Sequence, residues 1–426
     1  MTRSSNKLFE RETQVVTETG VGIVNIIHLK RVPGKNYNKG DEVELVDLRG
    51  CVDRDTEFLS PDGWKKIADW SGDLVMSVDE NLVGSFCGPE YVALPCNQGL
   101  THIVTNRLDM VLSDEHRILY HTEKNKCKLE EITLENAVSL HEAQATGFRG
   151  LIPCVLHGVE PIRSAELDEI SVRVHVMVSA DGWVRNQVTK RCSVRVKKER
   201  KKIRARELLT QYTNDWYEFE VAGGYSEFTF AAPFDKGYDG WFAFADNDVL
   251  SWVADETKYW DGEYLTGRLT SVNKSDADFI QYAYTATGHR SPIRIRELTN
   301  SFDGKYSAQN QYVVNKTNET HASFRKCPNS KVSISKVDSV DGLKYCFVTP
   351  TGAWLARRNG KVFVTGNSAG AEQMSFNVWA LERNQQADEQ SKRDVVKIRV
   401  LKNRLTGFPV TISGRLNPLE TSYEGE

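Results

Sequence analysis

The apolar positions of this chain fall into short runs with two different spacings. Val21 to Ile27 is almost unbroken apolar and β-branched, which predicts a strand buried on both faces of a parallel sheet, with His28 at its end. From residue 51 the runs shorten and turns such as Pro61-Asp62-Gly63 separate them. Short strands are therefore predicted through Val75 to Asp79, within an all-β domain. Two stretches read instead as helices, Glu169 to Val178 and Asp248 to Ala254, each followed by an Asp-Gly pair, Asp181-Gly182 and Asp261-Gly262. Between them Val194-Arg195-Val196-Lys197 alternates as a half-buried strand would, and Val395 to Val400 alternates in the same way near the far end.

Composition narrows this picture only a little. A chain of 426 residues can hold two or three cores, and a net charge of −3 with 27% charged and 40% hydrophobic residues says globular without naming a partner. No apolar run approaches the roughly 20 residues of a membrane span. Met1-Thr2-Arg3-Ser4-Ser5 also lacks the apolar core of a signal peptide, so a cytoplasmic setting without membrane partners is expected. The cysteines, at 51, 87, 96, 127, 154, 192, 327 and 346, form no Cys-x-x-Cys pair, so neither zinc nor a disulfide framework is indicated. Thiols acting as nucleophiles stay open, as does the plainer role of small buried residues.

Local charge changes the picture more. From Arg185 to Arg206 there are 11 Lys/Arg against one acid, Glu199. Arg185, Arg195 and Lys197 are candidate DNA contacts on a basic strand face that could follow a groove, although Lys197 to Lys202 would read the same as exposed helix.

Nucleophile chemistry gathers at two junctions. A peptide bond opens without water if the side chain just after it attacks the preceding carbonyl, and Cys51 is so placed behind Gly50. Cys51-Val52-Asp53 through Ile67 resembles the amino-terminal block of inteins, and Ser113-Asp114-Glu115-His116 resembles their Thr-x-x-His block with serine for threonine. Tyr345-Cys346-Phe347-Val348 and Gly360 through Asn367, followed by Ser368, resemble the two closing blocks. The resemblance implies catalytic roles for Cys51, Ser113, His116, Cys346, Asn367 and Ser368, in a splicing reaction that needs neither ATP nor metal. Inteins usually carry histidine before the terminal asparagine. Here Gly366 stands in its place, and Arg357 and Arg358 stand where another histidine is often found, which leaves slow cyclisation open.

The stretch between about 160 and 330 is more than splicing needs. Its two helix-Asp-Gly segments resemble LAGLIDADG homing endonucleases, in which two packed helices each deliver a carboxylate to the scissile phosphates. The resemblance implies Asp181 and Asp261 as the pair that holds Mg²⁺, and Lys274 as a basic residue near the phosphate. Asp-Gly by itself is usually just a turn.

The two ends read best when joined. Asp47-Leu48-Arg49-Gly50 fused to Ser368-Ala369-Gly370-Ala371-Glu372-Gln373 resembles the RecA-like motor of phage primase-helicases and related hexameric replicative helicases, as does Leu401-Lys402-Asn403-Arg404-Leu405-Thr406-Gly407. The resemblance implies that His28 senses a γ-phosphate, that Arg49 touches single-stranded DNA, and that Arg404 is an arginine finger beside Lys402. A hydrogen-bonded loop histidine and surface ion pairs are the plainer alternatives. No Gly-x-x-x-x-Gly-Lys-Ser/Thr occurs, so ATP could be held only with a missing part; either the chain is a fragment or that part is encoded separately.

The expected architecture is therefore nested. Residues 1–50 and 368–426 are pieces of a RecA-like α/β helicase that forms hexamers once joined. Residues 51–158 and 331–367 form an all-β Hint-type splicing domain, interrupted at 159–330 by an α/β LAGLIDADG endonuclease acting on double-stranded DNA. The alternatives are a helicase component whose insert is inert, and a binding protein with a related β-fold.

Overall fold

A computed structural model describes residues 50–163, 165–186, 188–298, 309–326 and 331–366, together with Glu389 and the strands His28–Leu29, Leu45–Val46, Asn377–Arg383, Val395–Asn403, Val410–Asn417 and Ser422–Gly425. The chain divides into two compact units, Met1–Leu48 with Ala369–Glu426, and Arg49–Ser368.

In the first unit His28–Leu29 pairs antiparallel with Leu45–Val46, and the four strands from Asn377 to Gly425 form an antiparallel meander. The parallel pairing expected for Val21 to Ile27 falls outside the described residues. The strands that are described in this unit are antiparallel throughout, and the alternation seen from Val395 to Val400 belongs to the strand Val395–Asn403.

In the second unit the short alternating runs make strands. Glu57–Ser60 and Gly63–Lys66 form a hairpin around Pro61-Asp62. Gly63 adopts φ 109°, and a Cβ there would meet the Phe242 ring at 3.4 Å, so turn and packing both require glycine. This hairpin joins Val75–Val78, Val83–Cys87, Gly158–Glu160, Ala353–Arg358 and Lys361–Gly366 in a seven-stranded sheet. Beside it lie a three-stranded sheet (Ser333–Val337, Leu100–Val104, Asp109–Leu112) and the pair Leu343–Val348 with Glu90–Pro95. The region is β-rich as expected, with the helix α1 (Leu134–Ala143) and the 3-10 turn Ile67–Asp69 besides its strands.

The intervening stretch is mixed. Helix α2 (Glu169–Asp181) starts at Asp168, whose carboxylate accepts from Ser171 N at 2.9 Å. It holds four valines that intrinsically disfavour helix, but Val172, Val174, Val176 and Val178 are all buried, so burial outweighs propensity. Helix α3 (Glu199–Tyr212) follows, then α4 (Asn247–Glu256), which extends through the 3-10 turn Thr257–Tyr259 to Asp261, and α5 (Lys274–Ala286). A four-stranded antiparallel sheet runs in the order Gly182–Asn186, Arg191–Val196, Tyr225–Ala231, Tyr217–Val221; a three-stranded sheet contains Leu269–Ser271, Gln309–Val314 and Ile293–Leu298. Alternation in Arg191–Val196 sends Cys192, Val194 and Val196 inward and Arg195 outward.

The helical stretch and the β-rich one share a hydrophobic core, with Leu59, Met76, Val78 and Leu82 packed in one cluster with Phe242, Val249, Leu250 and Phe279. No helix among the described residues is long and apolar enough to cross a membrane.

Candidate functional site

The strand Lys361–Gly366 and the turn Ser113 to His116 enclose the Gly50-Cys51 peptide. Cys51 is fully buried; its N–H donates to Ser113 Oγ at 3.0 Å, and its carbonyl accepts from Ser113 N at 2.9 Å. One residue on, Val52 exchanges backbone hydrogen bonds with Tyr345, at 2.7 and 2.9 Å, so the strand carrying Cys346 runs beside the junction, and Cys346 is buried. His116 lies on the other side. Its Nε2 is 2.6 Å from Thr365 Oγ1, and burial, aided by the Arg117 charge, pushes its pKa down to about 3 against the nearby backbone of Cys51 and Gly50. The ring is therefore neutral at pH 7.

Two glycines complete this enclosure for steric reasons. A Cβ on Gly50 would stand 2.7 Å from His116 Cα, and one on Gly366 would stand 2.6 Å from Arg117 O. Arg117 is held in turn by Glu131, at 2.8 Å, and by the Gly352 carbonyl. Asn367 and Ser368 lie outside the described residues, as do Arg49 and Arg404.

Arg357 and Arg358 are locked in ion pairs. Arg357 is buried; it donates to both Glu57 oxygens at 2.7 Å, to Asp278 at 2.5 Å and to Gln281 at 2.9 Å, with Trp64 stacked beneath it. Arg358 joins Asp53 to Asp109.

A second constellation forms where α2 and the α4 extension end. Asp181 is the last residue of α2 and is ion-paired with Lys201 of α3. Burial raises the Asp261 pKa, the Asp181 charge raises it further, and Lys201 and Lys236 pull it back, so these four charges act on one another. Both following glycines are required by close backbone: a Cβ on Gly182 would stand 2.7 Å from Val178 O, four positions back, and one on Gly262 would stand 2.6 Å from Thr257 O, five positions back. Asp276 also faces this region; burial brings its pKa to about 6, with Asp239 and Asp261 adding to the rise and Lys236 and Asn273 opposing it. Lys274 is placed elsewhere, ion-paired with Asp278 at 2.6 Å in the Arg357 network. Lys201 and Lys236 were the residues that sequence reading missed; only the richness in Lys/Arg from Arg185 to Arg206 hinted at the first. Lys198, Arg200, Lys201 and Arg268 line a cavity of about 430 Å³ with Asp261.

The outward face of the four-stranded sheet carries Trp183, Arg185, Arg195 and Lys197. Arg185 and Arg195 both lie over the Trp183 ring and share Glu227, while Lys197 lies over Tyr225. Burial pushes the Glu227 pKa up, but the two guanidiniums hold it below the usual carboxylate range. In the first unit, His28 opposes Val46 and Lys402 opposes Val378 in their strand pairs.

The metal expectation can be set against this donor set. Asp261 is disfavoured in its charged form by burial first and by the Asp181 charge second, so a divalent cation there would relieve both; as hard oxygen donors Asp181 and Asp261 suit such an ion. Among the described residues no group of three or more His, Cys, Asp or Glu has the spacing to hold a metal by itself, so water or phosphate oxygens would have to complete the shell.

No protein-family model matches the chain, and no curated protein matches it. Among solved structures it is similar to a splice-inactive variant of the AceL NrdHF class 3 split intein, at 8% identity over 75% of this chain and 98% of that one, with a TM-score of 0.27. It is also similar to mesophilic variants of the homing endonuclease I-DmoI, at 13% identity over 35% of this chain and 88% of that one, with a TM-score of 0.25. A further similarity is to I-DmoI in complex with DNA and Mn, at 15% identity over 35% of this chain and 89% of that one, with a TM-score of 0.24.

Proposed function

We propose that residues 51–367 are a self-excising element that joins Gly50 to Ser368 and carries a DNA-cleaving module. The observation that carries the reading is the Gly50-Cys51 peptide, buried between Ser113 and a neutral His116. Cys51 Sγ attacks the Gly50 carbonyl carbon, the amide C–N bond breaks, and His116 protonates the departing nitrogen while Ser113 holds it. The Ser368 hydroxyl next takes the acyl group from sulfur, giving an ester and returning the thiol. The Asn367 side-chain nitrogen then closes on its own carbonyl and releases the Ser368 amine, which attacks the ester to leave an ordinary peptide bond. Cys346, on the strand beside the junction, is assigned the role of coordinating the two ends.

In the inserted module Asp181 and Asp261 would hold Mg²⁺, which when bound activates water and stabilises the leaving oxygen of a phosphodiester. Lys201 and Lys236 balance charge there, and the face with Trp183, Arg185, Arg195 and Lys197 suits a duplex backbone. For the flanks, the joined sequence supports a piece of a hexameric replicative helicase, with His28, Arg49, Lys402 and Arg404 as its nucleotide and DNA contacts.

Intact-mass measurement after fresh expression tests the splicing step. The expected products are free 51–367 and a ligated chain of 1–50 with 368–426, and Cys51→Ala with Asn367→Ala should keep the precursor whole. A precursor that persists at full length without those changes overturns the reading in favour of an inert insert.

A further inference from the structure

Thr365 takes no part in the four transfers, yet its hydroxyl is buried 2.6 Å from His116 Nε2. We infer that Thr365 is a positioning residue for the first transfer: it donates to Nε2 and so fixes the single proton of the neutral ring on Nδ1, the nitrogen that serves the Gly50-Cys51 peptide. The inference rests on the splicing reading above.

A neutral imidazole carries one N–H, and the hydrogen bond at one nitrogen decides which nitrogen holds it. If Nε2 held the proton and donated to Thr365, Nδ1 would be a bare lone pair facing the junction. The Cys51 N–H there is already given to Ser113 Oγ, and among the described residues Nδ1 has no hydrogen-bond partner. The backbone of Cys51 and Gly50 beside the ring acts to raise its pKa, so it presents acceptors rather than donors, and a bare lone pair there is the worse match. With Thr365 as donor, Nε2 is satisfied and Nδ1 keeps the one ring proton for the Gly50-Cys51 peptide. In the transfer the S–C bond forms and the C–N bond breaks; the Nδ1 proton goes to the departing nitrogen, and the thiol proton returns to the ring. His116 is neutral at the start and at the end. Thr365 also sits one residue before Gly366, so the same hydrogen bond ties the strand leading to the second junction to the chemistry of the first.

The test uses the full chain with Asn367→Ala and Ser368→Ala, in which only the first transfer runs, and follows release of residues 1–50 by dithiothreitol across pH. A parent that does not cleave sinks the splicing reading itself and is seen before any Thr365 variant is made. With an active parent, Thr365→Val should slow release about 10- to 100-fold at pH 7, within the range of a general acid's contribution. The deficit should hold across about pH 6 to 8, where the buried ring stays neutral, while Thr365→Ser should restore the parental rate. A Val variant with the parental rate and pH profile, or a Ser variant as slow as Val, overturns the inference. Should the Val variant fail to fold, ¹⁵N-histidine spectra of the Cys51→Ala, Asn367→Ala precursor decide. A proton on Nδ1 of His116 supports the assignment, and a proton on Nε2 refutes it.

Discussion

Glycine at 366 is set by its neighbour. A Cβ there would stand 2.6 Å from Arg117 O and 3.0 Å from Arg117 Cβ, and the carbonyl belongs to a strand paired with Glu130–Thr133, so it cannot simply swing away. Gly366→His, which installs the residue inteins usually carry, should therefore cost about 1–3 kcal/mol through overpacking. It should also slow release of the second junction; urea unfolding together with C-terminal cleavage in a Cys51→Ala background measures both. A variant of unchanged midpoint that cleaves faster would contradict this account. Residues at this scale were unevenly legible in the sequence. Cys51, Ser113 and His116 sit in local patterns whose side chains could be named, and the structure brings those three together. Thr365 reaches His116 across 249 positions, and Lys201 and Lys236 reach Asp261 from two separate segments. Lys274, downstream of the second Asp-Gly, is ion-paired with Asp278. Contacts made by tertiary closure leave no local signal.

At the scale of elements, Arg357 links three of them: its own strand Ala353–Arg358, the strand Glu57–Ser60, and α5 through Asp278. Burial acts to lower its pKa, but Asp278 and Glu57 outweigh that and raise it, so the charge persists inside the fold. Arg357→Leu would strand two carboxylates and should cost about 3–5 kcal/mol, as breaking a buried pair does. Lys274→Ala removes a lysine half exposed on the same Asp278, and exposed pairs are worth only about 0–1 kcal/mol. Thermal unfolding of the two variants should rank them clearly; equal shifts would mean that the Arg357 cluster is not a structural joint. The helix-like reading of both stretches before the Asp-Gly pairs holds, although in the first Val172, Val174, Val176 and Val178 alternate every two residues as a strand's would, so burial rather than spacing makes that segment helical. The sequence did not show which strand α5 docks on, since an arginine among β residues looks the same whether its partner is near or far.

At the scale of the molecule, buried and half-buried histidines among the described residues set the response to acid. Burial brings His116 to about 3, His175 to about 4 and His321 to about 4, all below the ordinary value near 6.5. Below pH 6.5 the unfolded chain takes up protons at these sites while the folded one does not, so their contribution is full above that pH and is lost as pH falls toward 4. Asp276 acts with the opposite sign: its folded pKa of about 6 is above the usual carboxylate value, so as pH rises from about 4 to 6 the unfolded chain ionises first and the fold loses stability. Three histidines outweigh Asp276 and Asp261, both raised by burial, over this window. The urea midpoint of the Cys51→Ala, Asn367→Ala precursor should therefore fall between pH 7 and pH 5, and Asp276→Asn should raise it at pH 7 with little effect at pH 4. His116 lies in the β-rich part and His175 on α2, while Leu59 and Phe242 belong to one core across those parts, so the loss should appear as a single transition. Two separated transitions, or a midpoint that rises on acidification, would show that these rings are not held neutral by a common fold.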